Sequence, residues 1–229
     1  MKKEILTEDQ DTGYFNSVAN PSRRKFFQMS GGLVGAGMLF AACHKSSDSG
    51  INLGSGDTGV LNYAYALEQL EAAFYTHVIS SPYTGMSADE LALLTDIRDH
   101  EIAHREFFKA ALGSSAIPAL TVNFSSITFS DRNSVLTTAQ AFEDLGVSAY
   151  NGAGRLITDP TYLGVAGKIV SVEARHAGYI RDLLSFNSFA SSSAVSASGL
   201  DAEATPAAVL ATASKYLSSK LNASNLPNR

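Results

Sequence analysis

The stretch "DHEIAHREFF", residues 99–108, carries a motif that allows two interpretations. As H-E-x-x-H on a helix it is the signature of a zinc protease, in which His100 and His104 bind zinc and Glu101 is the general base. As E-x-x-H it is half of a two-metal site, in which Glu101 and His104 are both ligands and His100 has no role. The rest of the chain has to decide between the two.

A second E-x-x-H occurs in "EARH", residues 173–176. Because residues three apart share one face of a helix, each motif can direct one carboxylate and one imidazole toward a common point. One such motif alone is more often a solvated helix face, but two on separate helices favour a metal site built from both. Beyond the second motif, no pattern supplies the third zinc ligand that a protease needs.

Five segments have the pattern of helices. The first is apolar nearly all round, as expected of a buried helix, and the second opens with a capping box formed by Ser87 and Glu90. The predicted helices begin near Val60, after the N-cap Ser87, near Ser134, after the N-cap Asp159 and after the N-cap Thr205.

A long stretch without helical pattern, residues 114–133, separates the second helix from the third. Two helices, a long crossover and two more helices is the ferritin-like order of a four-helix bundle. The sequence therefore predicts an all-α, ferritin-like four-helix bundle over residues 60–186. A Ser/Ala-rich linker and an extra C-terminal helix are expected to follow at 187–229.

A two-metal carboxylate site needs one further glutamate from each of the other two helices. The first helix offers Glu68 and Glu71 inside an apolar run, and the third offers Glu143. Carboxylates in a bundle core cost free energy unless they bind metal or find partners. Since the first helix contains no Lys or Arg, divalent cations are the expected partners.

An internal comparison separates the two glutamates of the first helix. Glu68 is followed seven residues later by Tyr75, and Glu143 is followed seven residues later by Tyr150. Seven residues are two helical turns, so each tyrosine shares a face with its glutamate. This pseudo-symmetry selects Glu68 as the ligand and leaves Glu71 as the alternative, with both tyrosines as second-sphere packing or hydrogen-bonding residues.

Four segments resemble the motif helices of the ferritin-like superfamily: "LNYAYALEQLEAAFY", "DIRDHEIAHREFF", "AFEDLGVSAYNGA" and "KIVSVEARHAGYIRDLL". The stretches "FEDLGVSAYNGA" and "VEARHA" are most similar to its desiccation-associated branch. The resemblance spans about residues 60–186 and implies a centre of two iron or two manganese ions. The ligands that it implies are Glu68, Glu101, His104, Glu143, Glu173 and His176.

The resemblance does not define an activity, because members of the superfamily differ in their reactions. The predicted iron or manganese centre favours redox chemistry, either oxidation of Fe(II) by O2 or peroxide or removal of peroxide. The expected partners are thus the metal ions and O2 or H2O2. A homo-oligomer is compatible with the sequence. A closed storage shell is disfavoured by the predicted tether and fifth helix. The alternative is a non-catalytic stress- or desiccation-associated protein that keeps the bundle and binds metal incidentally.

The N-terminal stretch "SRRKFFQMSGGLVGAGMLFAAC", residues 22–43, resembles a twin-arginine export signal carrying Arg23 and Arg24. Its apolar run is too short to span a bilayer comfortably. Cys43 stands where bacterial lipoproteins carry their lipidated cysteine. We therefore predict a signal segment at 1–42, a flexible tether at 43–59 and a lipid-anchored protein on the periplasmic side of the bacterial envelope.

Composition excludes several other classes of protein. The formal net charge is -5, and no basic stripe follows the export signal, so no nucleic-acid partner is expected. The chain has a single cysteine, which rules out an intrachain disulfide and a cysteine-based zinc site.

Overall fold

The computed structural model describes residues 50–227, and within this range the chain forms five α-helices and two short strands. The helices are α1 (Gly56–Ser80), α2 (Ala88–Leu112), α3 (Arg132–Gly154), α4 (Pro160–Leu184) and α5 (Pro206–Ala213). The strands β1 (Ile51–Asn52) and β2 (Leu221–Asn222) pair in parallel. The all-α ferritin-like bundle, with its crossover and extra C-terminal helix, is confirmed.

The signal segment 1–42, with Arg23 and Arg24, and the lipidation site Cys43 lie outside the described residues. No helix between residues 50 and 227 is long and apolar enough to cross a membrane.

The predicted helix caps are formed. Ser87 accepts a hydrogen bond from the backbone N–H of Glu90, and the Glu90 carboxylate accepts one from the backbone of Ser87, which completes the capping box. Asp159 and Thr205 cap α4 and α5. The third helix begins two residues earlier than predicted, because Asp131 supplies the cap.

The bundle consists of two helical hairpins joined by the long crossover. The first hairpin packs α1 along α2, and the second packs α3 along α4. An aromatic cluster joins the hairpins to the crossover: the ring of Phe74 lies 5.1 Å from that of Phe142 and 6.0 Å from that of Phe124, both edge-on. Burial of such side chains stabilises the bundle by roughly 1.5–3 kcal/mol each.

The C-terminal helix is shorter than the stretch "AAVLATASKYLSSKL", residues 207–221, predicts. It ends at Ala213, and after a 3-10 turn (Ser214–Tyr216) the chain becomes extended. The backbone N–H of Ser218 donates to the carbonyl of Thr121 (2.8 Å), and the crossover's Asn123 N–H donates to the carbonyl of Tyr216 (2.7 Å). The crossover thus offers backbone partners that favour an extended strand over a continued helix.

The first described residues belong to the folded domain rather than to a flexible tether. Leu53 is fully buried, its N–H donates to the carbonyl of Asn222, and its carbonyl accepts from the amide of Asn62 at 3.0 Å. The prediction of a flexible tether is therefore wrong for residues 51–59, because β1 and the first turn of α1 lie in this stretch.

Candidate metal centre

The six predicted ligands meet in the middle of the bundle. Each helix of the bundle contributes to the cluster, α1 and α3 with one ligand each and α2 and α4 with one E-x-x-H pair each. The contributions are Glu68 from α1, Glu101 and His104 from α2, Glu143 from α3, and Glu173 and His176 from α4. All four carboxylates have no solvent-exposed surface.

These side chains form two overlapping groups of four, in each of which the ligand atoms lie within 4.8 Å of one another. One group consists of Glu68, Glu101, His104 and Glu173. The other consists of Glu101, Glu143, Glu173 and His176. Glu101 and Glu173 belong to both, whereas each remaining ligand belongs to one group only.

Each imidazole faces the glutamate of the opposite E-x-x-H motif. Nδ1 of His104 lies 2.9 Å from Oε1 of Glu173, and Nδ1 of His176 lies 2.9 Å from Oε1 of Glu101. The same ring nitrogens lie 3.4 Å from the carboxylates of Glu68 and Glu143, respectively. The two motifs therefore contact each other across the bundle, and each group of ligand atoms contains residues of both motifs.

The two tyrosines also connect opposite hairpins. The hydroxyl of Tyr75 donates to Oε1 of Glu143 at 2.5 Å, and the hydroxyl of Tyr150 donates to Oε1 of Glu68. The sequence places each tyrosine on the same face as the glutamate of its own helix, but its hydrogen-bond partner is the glutamate of the other helix. Each of these glutamates is thereby held by one oxygen and keeps the other free.

The orphaned polar atoms of the cluster show that it suits metal ions. Buried polar atoms almost always have hydrogen-bond partners, yet between residues 50 and 227 eight buried ligand atoms of this cluster have no hydrogen bond, and their close polar contacts are the imidazole–carboxylate pairs within the cluster itself. The eight atoms are Oε2 of Glu68, both carboxylate oxygens of Glu101, Nδ1 of His104, Oε2 of Glu143, both carboxylate oxygens of Glu173 and Nδ1 of His176. Six oxygens and two imidazole nitrogens are a donor set that suits iron or manganese better than structural zinc.

The negative charge of the four buried carboxylates also favours the binding of cations. In the described part of the chain, the four carboxylates form ion pairs only with His104 and His176, and no Lys or Arg reaches them. Two divalent ions would carry four positive charges, which match four ionised carboxylates. Uncompensated carboxylates at this depth would be strongly unfavourable.

Without metal, protons offset part of this negative charge. Burial raises the pKa of Glu68 to about 7, and burial together with neighbouring glutamates raises that of Glu173 well above its usual range. Burial alone would raise the pKa of Glu101, but the two imidazoles beside it lower the value to about 2. Burial alone would lower the pKa of His176, but Glu101 and Glu143 raise it to about 10.

Glu71, the alternative ligand, is buried but belongs to neither group. It lies opposite Gly146, where an added Cβ would stand 3.2 Å from Oε1 of Glu71 and 3.2 Å from Oε2 of Glu173. The glycine therefore leaves the space that both carboxylates use. The sequence contains a signal for this pairing, since Gly146 follows Glu143 by three residues as Glu71 follows Glu68.

His100 is the other residue whose place the sequence did not reveal. Its Nδ1 lies 2.9 Å from Nε2 of His176, on the side of that ring away from the glutamates. It is a member of neither metal group in the described residues. The arrangement required of a zinc protease, with His100 and His104 as joint ligands, is thus absent from this part of the chain, and His100 contacts a ligand instead of having no role.

Comparison with known proteins agrees with this geometry. The profile of the ferritin-like domain family matches residues 56–185, a span that begins with α1 and ends just after α4. The chain belongs to the ferritin-like domain family. A search of curated proteins finds no match. In this ferritin-like protein the matched span holds all six candidate ligands, while α5 and β2 lie beyond it.

Proposed function

We propose that this ferritin-like protein binds two iron or two manganese ions and uses them for redox chemistry with O2 or peroxide. The observation that carries the proposal is the set of eight buried ligand atoms without hydrogen bonds, arranged in two groups that share Glu101 and Glu173. Two adjacent groups with common carboxylates are what a pair of bridged ions requires.

The free oxygens of the glutamates suggest separate roles. Glu101 and Glu173 each leave both oxygens without hydrogen bonds and belong to both groups, so each would serve as a ligand to both ions. Glu68 and Glu143 each use one oxygen to accept from a tyrosine, and each has one left for a single ion. Each group then has the two shared carboxylates, one terminal carboxylate and one imidazole.

When bound, iron or manganese ions would supply redox chemistry: they would donate electrons to O2 or peroxide, and where Fe(II) is the substrate it would be oxidised while O2 or peroxide accepts its electrons. The chain's own residues prepare the place for this chemistry. Tyr75 and Tyr150 orient the terminal carboxylates, and the buried surroundings of the four glutamates exclude bulk water. The imidazole rings of His104 and His176 direct Nδ1 toward the carboxylates, and Nδ1 is the atom that would bind the metal.

Metal content and reactivity test this proposal together. We expect the protein, purified without added metal and then reconstituted with Fe(II) or Mn(II), to hold two ions per chain and to change its visible spectrum when peroxide is added. The matched control is the double variant Glu68→Gln/Glu143→Gln, which keeps side-chain volume but loses both terminal carboxylates. Fewer than one ion per chain after reconstitution of the wild-type protein would contradict the two-metal proposal.

The same experiment distinguishes the catalytic role from a non-catalytic one. Two ions per chain without any reaction with O2 or peroxide would support a stress-associated protein that binds metal incidentally. Membership of the desiccation-associated branch remains a prediction from the motifs "FEDLGVSAYNGA" and "VEARHA".

We also propose, from the sequence of residues 22–43, that the protein is exported through a twin-arginine system and anchored by a lipid on Cys43. Replacing Arg23 and Arg24 with lysine is expected to keep the protein in the cytoplasm, because the signal depends on paired arginines. Replacing Cys43 with alanine should instead allow export but release the protein from the membrane fraction. Cell fractionation with immunoblotting measures both, and unchanged membrane association of Cys43→Ala would refute the anchor.

A further inference from the structure

The histidine that precedes the first E-x-x-H motif forms an in-plane contact with a ligand. The rings of His100 and His176 are inclined by 6°, their centroids are 5.2 Å apart, and Nδ1 of His100 is 2.9 Å from Nε2 of His176. Two rings stacked face to face would lie closer together than this. A 2.9 Å contact between ring nitrogens with that centroid separation requires rings that lie edge to edge, which is the geometry of a linear N–H···N hydrogen bond.

The direction of this hydrogen bond follows from the other side of the His176 ring. Nδ1 of His176 faces Glu101 at 2.9 Å and Glu143 at 3.4 Å, so it is the nitrogen directed into the metal centre. A metal-binding imidazole nitrogen must be unprotonated, and the ring proton then resides on Nε2. Nε2–H donates to Nδ1 of His100, whose ring is exposed to solvent.

The second half of the centre lacks this arrangement. His100 precedes Glu101 by one residue, and the residue that precedes Glu173 in the second motif is Val172. Valine has no polar side-chain atom with which to reach the outer nitrogen of His104. Among the hydrogen bonds of residues 50–227, none involves Nε2 of His104, and the His104 side chain retains 12% exposure.

From this asymmetry we infer that His100 is a positioning residue, which holds His176 in the tautomer that binds metal and makes the Glu143/His176 position the tighter of the two. The inference rests on the proposed two-metal function and adds to it which of the two positions binds its metal ion more tightly. A hydrogen-bond partner of this kind fixes ring orientation and is typically worth about 10- to 100-fold in metal affinity.

Two variants of His100 separate hydrogen bonding from packing. His100→Phe keeps a ring beside His176 but removes the acceptor, whereas the amide oxygen of His100→Asn stands close to the place of Nδ1 and still accepts. The matched control is His77→Phe, which changes an exposed histidine of α1 that carries no ligand role. Because His100 is exposed, all three variants are expected to fold with unchanged far-UV circular dichroism.

Titration of the metal-free protein with Mn(II) is expected to show two unequal dissociation constants. His100→Phe should weaken metal binding at the tighter position by about 10- to 100-fold and leave binding at the weaker position unchanged. His100→Asn should recover most of the lost affinity. Nuclear magnetic resonance of the Zn(II)-loaded protein gives an independent readout. The Nε2–H signal of His176 should be protected from exchange in the wild type and in His100→Asn and lost in His100→Phe.

The outcomes distinguish this inference from the proposed function. Failure of the wild type to bind two ions would defeat the proposed function itself. Two ions in the wild type, combined with unchanged affinities in His100→Phe, would overturn only the role of His100. Equal weakening of both positions, or no recovery in His100→Asn, would also overturn it, since the hydrogen bond would then not be what sets the affinity.

Discussion

Glu101→Gln is expected to abolish binding of both metal ions, while Glu143→Gln is expected to lose only one. Glu101 belongs to both groups of ligand atoms and has two oxygens without hydrogen bonds, whereas Glu143 belongs to one group and has one such oxygen. Even partners outside the ligand set are worth about 10- to 100-fold in affinity. Loss of a shared carboxylate should therefore weaken both positions by at least about 100-fold.

Equilibrium dialysis against Mn(II), with metal counted per chain, measures this difference directly. Thermal stability is unsuitable here, because the Glu101 carboxylate also pairs with two imidazoles in the metal-free protein. Glu71→Gln serves as the matched control, since Glu71 is an equally buried glutamate outside both groups. If Glu101→Gln retained one ion and Glu143→Gln lost both, the assignment of bridging and terminal carboxylates would have to be exchanged.

The second large effect is an opposite dependence on pH of the metal-free and metal-loaded proteins. Glu68 has a folded pKa of about 7, raised by burial from an ordinary value of 4.5. His176 has a folded pKa of about 10, raised from 6.5 by its carboxylate neighbours against the effect of burial. A raised pKa contributes stability that is complete below the ordinary value and is lost as pH rises through the folded value.

Both groups therefore make the metal-free protein less stable as pH increases from about 5 to about 9. Glu71 and Glu173 act in the same direction, because burial and neighbouring carboxylates raise their pKa values too. Glu101 has no influence in this range, since its pKa of about 2 keeps it ionised throughout. We expect the melting temperature of the metal-free protein to fall across this interval.

Metal binding should reverse this trend, because the ions displace protons from the ligands. Each displaced proton makes the apparent affinity about tenfold higher per pH unit. At a free metal concentration 1,000-fold above Kd, each ion stabilises the fold by about 4 kcal/mol, which corresponds to a rise in melting temperature on the order of 10 °C. The rise should be small near pH 5.5 and largest near pH 8.

Calorimetric melting with Mn(II) or with a chelator, at several pH values, measures both trends. Glu101→Gln is the control, since it should show no metal-dependent rise at any pH. A metal-free protein that grew more stable from pH 5 to pH 9 would contradict the protonated state of the empty cluster. A rise in melting temperature that did not depend on pH would contradict displacement of protons by metal.

Much of the fold was predictable because its signals are local. The capping residues Ser87, Asp159 and Thr205 accept hydrogen bonds from backbone groups two or three residues away, so their effect needs no tertiary contact. The extended C-terminal segment was not predictable in this way. Its backbone partners Thr121 and Asn123 lie almost a hundred residues earlier in the chain.

The sequence by itself determined which side chains share a helix face. The three-residue spacing of Glu101 and His104, repeated in Glu173 and His176, places a carboxylate and an imidazole together whatever the surrounding fold. The seven-residue spacing of Glu68 and Tyr75 likewise puts them on one face. These periodicities follow from the geometry of a single helix, and they were enough to choose six candidate ligands.

Only the tertiary structure decided which side chains meet across helices. Tyr75 contacts Glu143 instead of Glu68, and His100 contacts His176 instead of joining a group of candidate ligand atoms with His104. The physical reason is that the register and rotation of one helix against another depend on packing of the whole bundle, and no local spacing encodes them. The same packing placed Glu101 and Glu173 in both groups of candidate ligand atoms, and within "HEIAH" it separated His100 from the group that contains Glu101 and His104.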